Sequence, residues 1–156
     1  MLMSHTVPIH LDSQLCFAIY SANKNYNHFY QTALSKFDLT YPQFITLVAL
    51  WDKSPLSVRQ LGAELNLDSG TLTPLLKRLE KQGWVSRKRN TEDERQVDIN
   101  LTDYANSHRD EIYDRVNSCL TMAGIPVDEY QAAVNKLKEI GEKLETVANN
   151  EDLKAK

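Results

Sequence analysis

The chain has 156 residues, of which 42% are hydrophobic and 25% charged, so it can bury a core and has the composition of a globular protein. No apolar run is long enough to span a bilayer and the N-terminus lacks a signal-peptide pattern, so we expect a cytoplasmic protein without membrane partners. Two distant cysteines exclude a disulfide scaffold, and four histidines without metal-ligand spacing predict no metal or other cofactor.

The net charge of −3 is unevenly distributed along the chain. Between Thr71 and Thr91 there are six basic residues and one acidic residue, a local charge of +5 that leaves −8 on the remainder. A basic module in an acidic chain is typical of focused binding to phosphate groups. On charge alone, a solvated cationic surface is the alternative.

The first predicted element is a helix that follows an arm of residues 1–10. Asp12 or Ser13 is its expected N-cap, and apolar side chains recur at helical spacing to about Leu34. Cys16 lies near the start of this helix, where unpaired N–H groups and the helix dipole favour a thiolate. A small core cysteine is the alternative.

The next two predicted helices have helix-turn-helix proportions. Thr40 is expected to cap a strongly apolar helix whose first turn contains Pro42. A break at residues 53–55 follows, and Ser57 is expected to cap a short helix that ends near Leu65. Residues 66–67 then form the turn into a further helix.

That further helix, over residues 68–80, is predicted to be the recognition helix, with its start either at Asp68 or nearer Thr71. Its apolar side is formed by Leu72, Leu75, Leu76 and Leu79. The opposite side carries the predicted DNA-binding residues Ser69, Thr71, Thr73, Lys77 and Arg78. An ordinary amphipathic helix with a solvated polar face is the alternative for this segment taken alone.

After Gly83, two strands joined by a polar tip predict the wing of a winged helix-turn-helix. The first strand carries Arg87 and Lys88, which we predict to bind DNA, and the alternation of Val97, Ile99 and Leu101 marks the second. At the tip, Arg95 is expected to reach a minor groove or a phosphate. Asp93 is expected to hold that arginine by a charge-assisted hydrogen bond. A merely solvated tip is the alternative.

Two long helices complete the chain and predict a homodimer. Thr102 is expected to cap a helix to about Met122, and residues 124–126 interrupt it. The last helix carries a near-heptad apolar stripe from Tyr130 to Val147 that needs a partner, while residues 149–156 are expected to fray. The predicted fold is mainly α with a small β-hairpin. Segments 11–36 and 103–149 form the dimerisation helices, and 40–101 form the DNA-binding lobe.

In this order of elements the chain resembles the MarR family of transcriptional regulators over nearly its whole length, and more narrowly its organic hydroperoxide resistance branch. The resemblance is carried by Leu15-Cys16-Phe17-Ala18-Ile19-Tyr20, by Leu39-Thr40-Tyr41-Pro42-Gln43, by residues 67–80, and by Asp93-Glu94-Arg95-Gln96. It implies a reduced dimer that binds a pseudo-palindromic DNA operator and releases it after oxidation by an organic hydroperoxide. It also implies that the repressed gene encodes a peroxide-detoxifying enzyme.

The same resemblance assigns roles to five residues. Cys16 becomes the peroxide sensor, and hydroxyl groups of Tyr30 and Tyr41 hydrogen-bond its sulfur across the dimer interface, with Tyr20 near the same pocket. Cys119 is expected to resolve oxidised Cys16 as an intersubunit disulfide, although a low-molecular-weight thiol could cap it instead. Core aromatics and a buried structural thiol are the alternatives for the tyrosines and for Cys119.

Two other functions remain open at this point. A MarR-type regulator released by a non-covalent small aromatic ligand would leave Cys16 a bystander. A thiol peroxidase would need an activating partner for the cysteine, and the sequence places no His or Asp for covalent catalysis. We therefore predict that the protein is not an enzyme.

Overall fold

A computed structural model describes residues 10–150 of the chain. The arm predicted for residues 1–10 lies outside this range apart from His10, and the predicted frayed end lies outside it beyond Asn150. In chain order the helices are a 3-10 turn Leu11–Ser13, α1 Leu15–Leu34, a 3-10 turn Ser35–Phe37, α2 Tyr41–Lys53, α3 Val58–Leu65, α4 Ser69–Lys81, α5 Asp103–Met122 and α6 Val127–Ala148. The strands are β1 Leu56–Ser57, β2 Val85–Arg89 and β3 Val97–Leu101.

Three predicted helix caps are confirmed by hydrogen bonds. Gln43 Oε1 accepts from the backbone N–H of Thr40 at 2.9 Å, and Ser57 Oγ accepts from the N–H of Gln60 at 3.2 Å. Thr102 Oγ1 accepts from the N–H of Ala105 at 3.2 Å and so starts α5. Each of these three bonds satisfies a backbone N–H group at a helix start, where intrahelical partners are missing.

The predicted cap of the first helix is wrong. Asp12 and Ser13 belong to the short 3-10 turn, and Gln14 occupies the N-cap position of α1 in an extended conformation. The cause lies in the backbone, because the Gln14 N–H bonds back to the Leu11 carbonyl and closes the turn before α1 begins. Cys16 is therefore the second residue of α1.

The sheet has three antiparallel strands in the order β1-β3-β2, where the sequence predicted only the hairpin of β2 and β3. Leu56 pairs with Ile99, and Arg87 pairs with Ile99 from the other side. A strand of two residues after a proline has no alternation by which a sequence pattern could reveal it. It anchors the start of α3 to the wing.

The described residues as far as Val116 form one compact unit, and those from Asn117 onward form a second. The core of the first unit is made of side chains from the helix-turn-helix, the sheet and the first part of α5. Its fully buried members include Leu47, Leu61, Leu72, Leu76, Leu79, Trp84, Ile99 and Ile112. In the second unit, α6 contains no buried residue, and its apolar Leu137, Leu144 and Val147 are each more than half exposed.

Candidate functional site

The recognition helix starts at Ser69 with Asp68 as its N-cap, which decides between the two predicted starts. Asp68 Oδ1 accepts from the backbone N–H of Thr71 at 2.9 Å, and Asp68 Oδ2 accepts from the Thr71 hydroxyl at 2.9 Å. These bonds, the backbone one foremost, lower the pKa of the Asp68 carboxyl from its ordinary value. A carboxylate therefore sits at the positive end of α4.

The two sides of α4 are separated as the sequence predicted. Leu72, Leu76 and Leu79 are almost completely buried, and Leu75 is half-buried. All five predicted DNA-binding residues of this helix, Ser69, Thr71, Thr73, Lys77 and Arg78, are exposed. Pro74 lies on the exposed side inside the helix, so it removes an N–H donor without disturbing the buried leucines.

The turn between α3 and α4 brings the two helices close together. Asn66 adopts a left-handed conformation with φ 52°, which asparagine tolerates better than most residues. A Cβ atom on Gly62 would lie 2.9 Å from the carbonyl oxygen of Leu67, so only glycine fits there without a shift. The sharp turn holds the exposed face of α4 away from the core.

The wing tip, residues 90–96, is organised by hydrogen bonds to its own backbone. Asn90 Oδ1 accepts from the N–H groups of Glu92 at 2.8 Å and Asp93 at 3.0 Å. Asp93 Oδ1 accepts from the backbone N–H of Arg95 at 3.0 Å. The carboxylate therefore shapes the turn through the arginine backbone, and its predicted bond to the Arg95 side chain stays a prediction. Arg95 is exposed at the tip.

The two basic residues predicted on β2 have different surroundings. Arg87 donates from Nε to the carboxylate of Glu80 on α4 at 2.7 Å, and this bond lowers the pKa of Glu80. Lys88, the next residue, is exposed. Arg87 is therefore engaged within the protein, whereas Lys88 presents its charge to the surroundings.

A cleft of about 910 Å³ opens between α3, the start of α4 and the wing. Its polar lining includes the predicted residues Ser69, Asp93 and Arg95. It also includes Arg59 on α3, which the sequence analysis missed. Arg59 precedes the basic stretch from Thr71, so counting charge along the chain could not reveal it, although its place just after the Ser57 cap marks it as a first-turn residue.

Cys16 is exposed, and its Sγ donates to Gln14 Oε1 at 3.6 Å. Tyr20, one turn further along α1, is 65% exposed and stacks on Phe17 with ring centroids 6.3 Å apart. Both residues lie in the first third of the helix. Cys119 is a free, half-exposed thiol on the part of α5 that belongs to the second unit.

Tyr30 and Tyr41 lie together, with ring centroids 4.5 Å apart, and Tyr30 also contacts Phe44 at 5.7 Å. Cys16 and Tyr30 are fourteen residues apart on one α-helix, which corresponds to about 21 Å at 1.5 Å per residue. Within one protomer, the cysteine and this tyrosine pair therefore sit at opposite ends of α1. A contact between them requires a second copy of the chain.

In residues 10–150, no group of three or more His, Cys, Asp or Glu side chains is arranged to hold a metal ion. None of the helices in that range combines the length and apolar character that crossing a bilayer requires.

Comparison with known proteins identifies the family. Residues 28–112 match the family model of the transcriptional regulators SarA and Rot. The chain is 43% identical over 148 residues to the HTH-type transcriptional regulator TtmR of Methylorubrum extorquens, covering 95% of this chain and 76% of the relative. It is 48% identical over 93 residues to the organic hydroperoxide resistance transcriptional regulator of Bacillus subtilis, covering 60% of this chain and 63% of the relative.

Solved structures of transcriptional regulators agree with this family assignment. The structure of reduced AbfR bound to DNA superposes with a TM-score of 0.79 at 35% identity, covering 89% of this chain and 96% of that one. The structure of disulfide-formed AbfR gives a TM-score of 0.65 at 35% identity, covering 90% and 93%. These similarities confirm the predicted winged-helix fold. The chain belongs to the SarA/Rot family of MarR-type transcriptional regulators.

Proposed function

We propose that this protein is a homodimeric repressor that binds a pseudo-palindromic DNA operator in the cytoplasm when reduced and releases it when Cys16 is oxidised by an organic hydroperoxide. The observation that carries the DNA-binding part is the exposed row of hydroxyl and basic side chains on α4, backed by three buried leucines. Small hydroxyl residues can approach base edges, and Lys77, Arg78, Lys88 and Arg95 supply phosphate contacts.

The dimer is supported by what a single protomer leaves exposed. Apolar side chains of α6 remain uncovered, and α1 buries only Ala33 and Leu34 at its C-terminal end. Burial of such apolar stripes is the main driving force for association of helices. A two-fold dimer would also bring Cys16 of one protomer to Tyr30 and Tyr41 of the other, provided that the α1 helices run antiparallel.

The redox step requires only the two cysteines of the chain and one hydroperoxide as the oxidant. The Cys16 thiolate attacks the terminal peroxide oxygen, the O–O bond breaks, and the alkoxide that leaves takes up a proton to become an alcohol. Cys16 is then a sulfenic acid. The Cys119 thiol of the partner subunit attacks its sulfur, an S–S bond forms and water leaves. A low-molecular-weight thiol could carry out the second step in place of Cys119.

Relatives support this choice of signal. One is named for organic hydroperoxide resistance, and AbfR has been solved both reduced on DNA and with its disulfide formed. Disulfide formation between subunits would change the separation of the two recognition helices, so that they no longer match half-sites about one DNA turn apart. The repressed gene is then one whose product removes organic hydroperoxides.

The test is a DNA-binding titration on the upstream region of the protein's own gene, before and after stoichiometric cumene hydroperoxide. We expect wild type to release DNA and Cys16→Ser to retain it. If both release DNA, a non-covalent ligand becomes the better explanation. Retention by both ends the redox mechanism while leaving DNA binding intact.

Two further measurements complete the test. Mass spectrometry of the oxidised wild-type protein should detect a Cys16–Cys119 crosslink, which should be absent from Cys119→Ser. If wild type instead carries a small-thiol adduct, Cys119 has no part in the mechanism. Peroxide consumption without an added reductant should stop at about one equivalent per Cys16. Continued turnover with a thiol reductant would instead indicate a peroxidase.

A further inference from the structure

Two glutamine side chains join the start of α2 to the end of the recognition helix. Gln43, which is only 5% exposed, donates from Nε2 to Gln82 Oε1 at 3.0 Å. Gln82 donates in turn to the Asp38 backbone carbonyl at 2.8 Å and to the Asp38 carboxylate at 3.1 Å. We call these two side chains, with Asp38, the glutamine bridge.

Each end of the glutamine bridge is fixed to backbone. Gln43 Oε1 accepts from the Thr40 N–H at 2.9 Å, so the Gln43 amide uses both its oxygen and its nitrogen. Gln82 is the C-cap residue of α4, and its own N–H bonds to the Arg78 carbonyl. The bridge therefore connects the backbone of residues 38–40 to the last turn of the helix that carries the DNA-binding face.

Tyr41, the first residue of α2, lies between Thr40 and Gln43, two residues that the bridge ties together. Tyr41 contacts Tyr30, and both tyrosines belong to the proposed sensor pocket. We propose that Gln43 and Gln82 are positioning residues that couple the placement of Tyr41 to the orientation of the recognition helix. This inference rests on the proposed redox function and names the route by which a change at Cys16 reaches α4.

The physical reason is the burial of Gln43. An amide that loses its partners while buried is not compensated by water, so breaking the bridge is unfavourable. When the segment around Tyr41 shifts, moving the end of α4 with it keeps these hydrogen bonds intact. Coupling of this kind requires one end of the bridge to be tied to an element that responds to the signal and the other end to an element that responds to DNA.

The chain contains a matched control for the bridge. Gln60 has the same position in α3 as Gln43 has in α2, and its Oε1 accepts from the Ser57 N–H at 2.9 Å. Both glutamines close a capping box, and Gln43 in addition donates onward to Gln82 at the end of the recognition helix. Loss of Gln60 should therefore affect helix capping without affecting coupling.

The experiment compares wild type with Gln82→Ala, Gln43→Met and Gln60→Ala. For each, the Kd for operator DNA is measured in the reduced state and after oxidation with cumene hydroperoxide, together with the rate of Cys16 oxidation. We expect Gln82→Ala to lower the ratio of oxidised to reduced Kd at least about fivefold, within the range typical of allosteric coupling. The oxidation rate should be unchanged. Gln43→Met should lower the ratio similarly, and Gln60→Ala should leave it at the wild-type value.

The ratio separates coupling from mere stabilisation, because a structural defect weakens DNA binding in both redox states. Gln82 is the principal variant since its side chain is only partly buried and its removal leaves the backbone cap in place. If Gln82→Ala has the same ratio of oxidised to reduced Kd as wild type, the coupling role is overturned while the redox function stands. A wild type that keeps its DNA affinity after oxidation overturns the proposed function itself.

Discussion

Arg87 on β2 reaches back to Glu80 on the recognition helix, and the two charged groups form a hydrogen-bonded ion pair. Both side chains are about one-third exposed, at 34% and 35%. The pair neutralises one of the six basic residues between Thr71 and Thr91 and attaches the wing strand to α4. The local charge of +5 already counts Glu80, and it is carried by the five other basic residues of this stretch.

Removal of the pair as a unit is expected to leave DNA binding nearly unchanged. Glu80→Gln/Arg87→Gln keeps the net charge, so the slope of log K against log salt concentration should stay at its wild-type value. Lys88→Gln should reduce that slope by about 0.9, the value for one phosphate contact on B-DNA. Fluorescence anisotropy over a salt series measures both. An equal reduction in the double variant would show that Arg87 leaves Glu80 to contact phosphate.

The cap of the recognition helix should be sensitive to acid. Hydrogen bonds from Thr71 lower the pKa of Asp68 from 3.8, so the stabilisation by the carboxylate is fully present above pH 3.8 and is lost as pH falls through the lower, folded-state pKa. Asp68→Asn retains a capping oxygen but does not titrate. The urea concentration at the midpoint of unfolding should be higher for wild type than for Asp68→Asn at pH 7, and the two midpoints should converge below pH 3.8. A constant difference across pH would contradict this assignment.

The tyrosine hydroxyls are expected to set the rate of oxidation rather than the fold. Tyr30→Phe and Tyr41→Phe preserve the ring contact at 4.5 Å and remove only a hydrogen-bond donor. If that donor stabilises the Cys16 thiolate, each variant should slow the reaction of Cys16 with cumene hydroperoxide about tenfold, a cost typical of losing one hydrogen bond to a charged group. Stopped-flow kinetics measure the rate. Tyr26→Phe, on the same helix, is the control and should react at the wild-type rate.

The exposed stripe of α6 should be required for dimerisation. Leu144 is 60% exposed in the protomer, so Leu144→Glu should leave the fold of each chain intact. In a dimer that covers this face, the same change places an unpaired carboxylate in an apolar contact and should shift the protein toward monomer. Lys138→Glu introduces the same residue elsewhere on α6 as a control. Light scattering coupled to size exclusion distinguishes the two, and a dimeric Leu144→Glu protein would place the interface elsewhere.

The sequence predicted the order and approximate bounds of every long helix, because apolar spacing, caps and breaks agree with one another at each element. Thr40, Ser57 and Thr102 are polar residues placed just before apolar helical runs, and each caps the expected helix. The recognition helix is a similar case, since its buried leucines and exposed polar residues separate cleanly by spacing alone. Local signals of this kind are independent of tertiary contacts.

Features that depend on distant residues were not predictable in the same way. The strand Leu56–Ser57 exists because β3 lies beside it, and the Glu80–Arg87 pair exists because the β2 strand returns along α4. The contacts of Gln43 and Gln82 join positions 39 residues apart, which no periodicity reports. Asp93 could be placed near Arg95, but the choice between its backbone and its side chain is made by turn geometry.

The separation of Cys16 from Tyr30 along α1 has a genetic consequence. If each sensor takes its cysteine from one subunit and its tyrosines from the other, a lone subunit carries both halves but cannot join them. Two defective alleles, Cys16→Ser and the double change Tyr30→Phe/Tyr41→Phe, would then complement each other. Their heterodimer would contain one sensor lacking both the cysteine and the tyrosine hydroxyls and one that is complete, so combining an unresponsive protein with a slowly responding one would restore a fast response to peroxide.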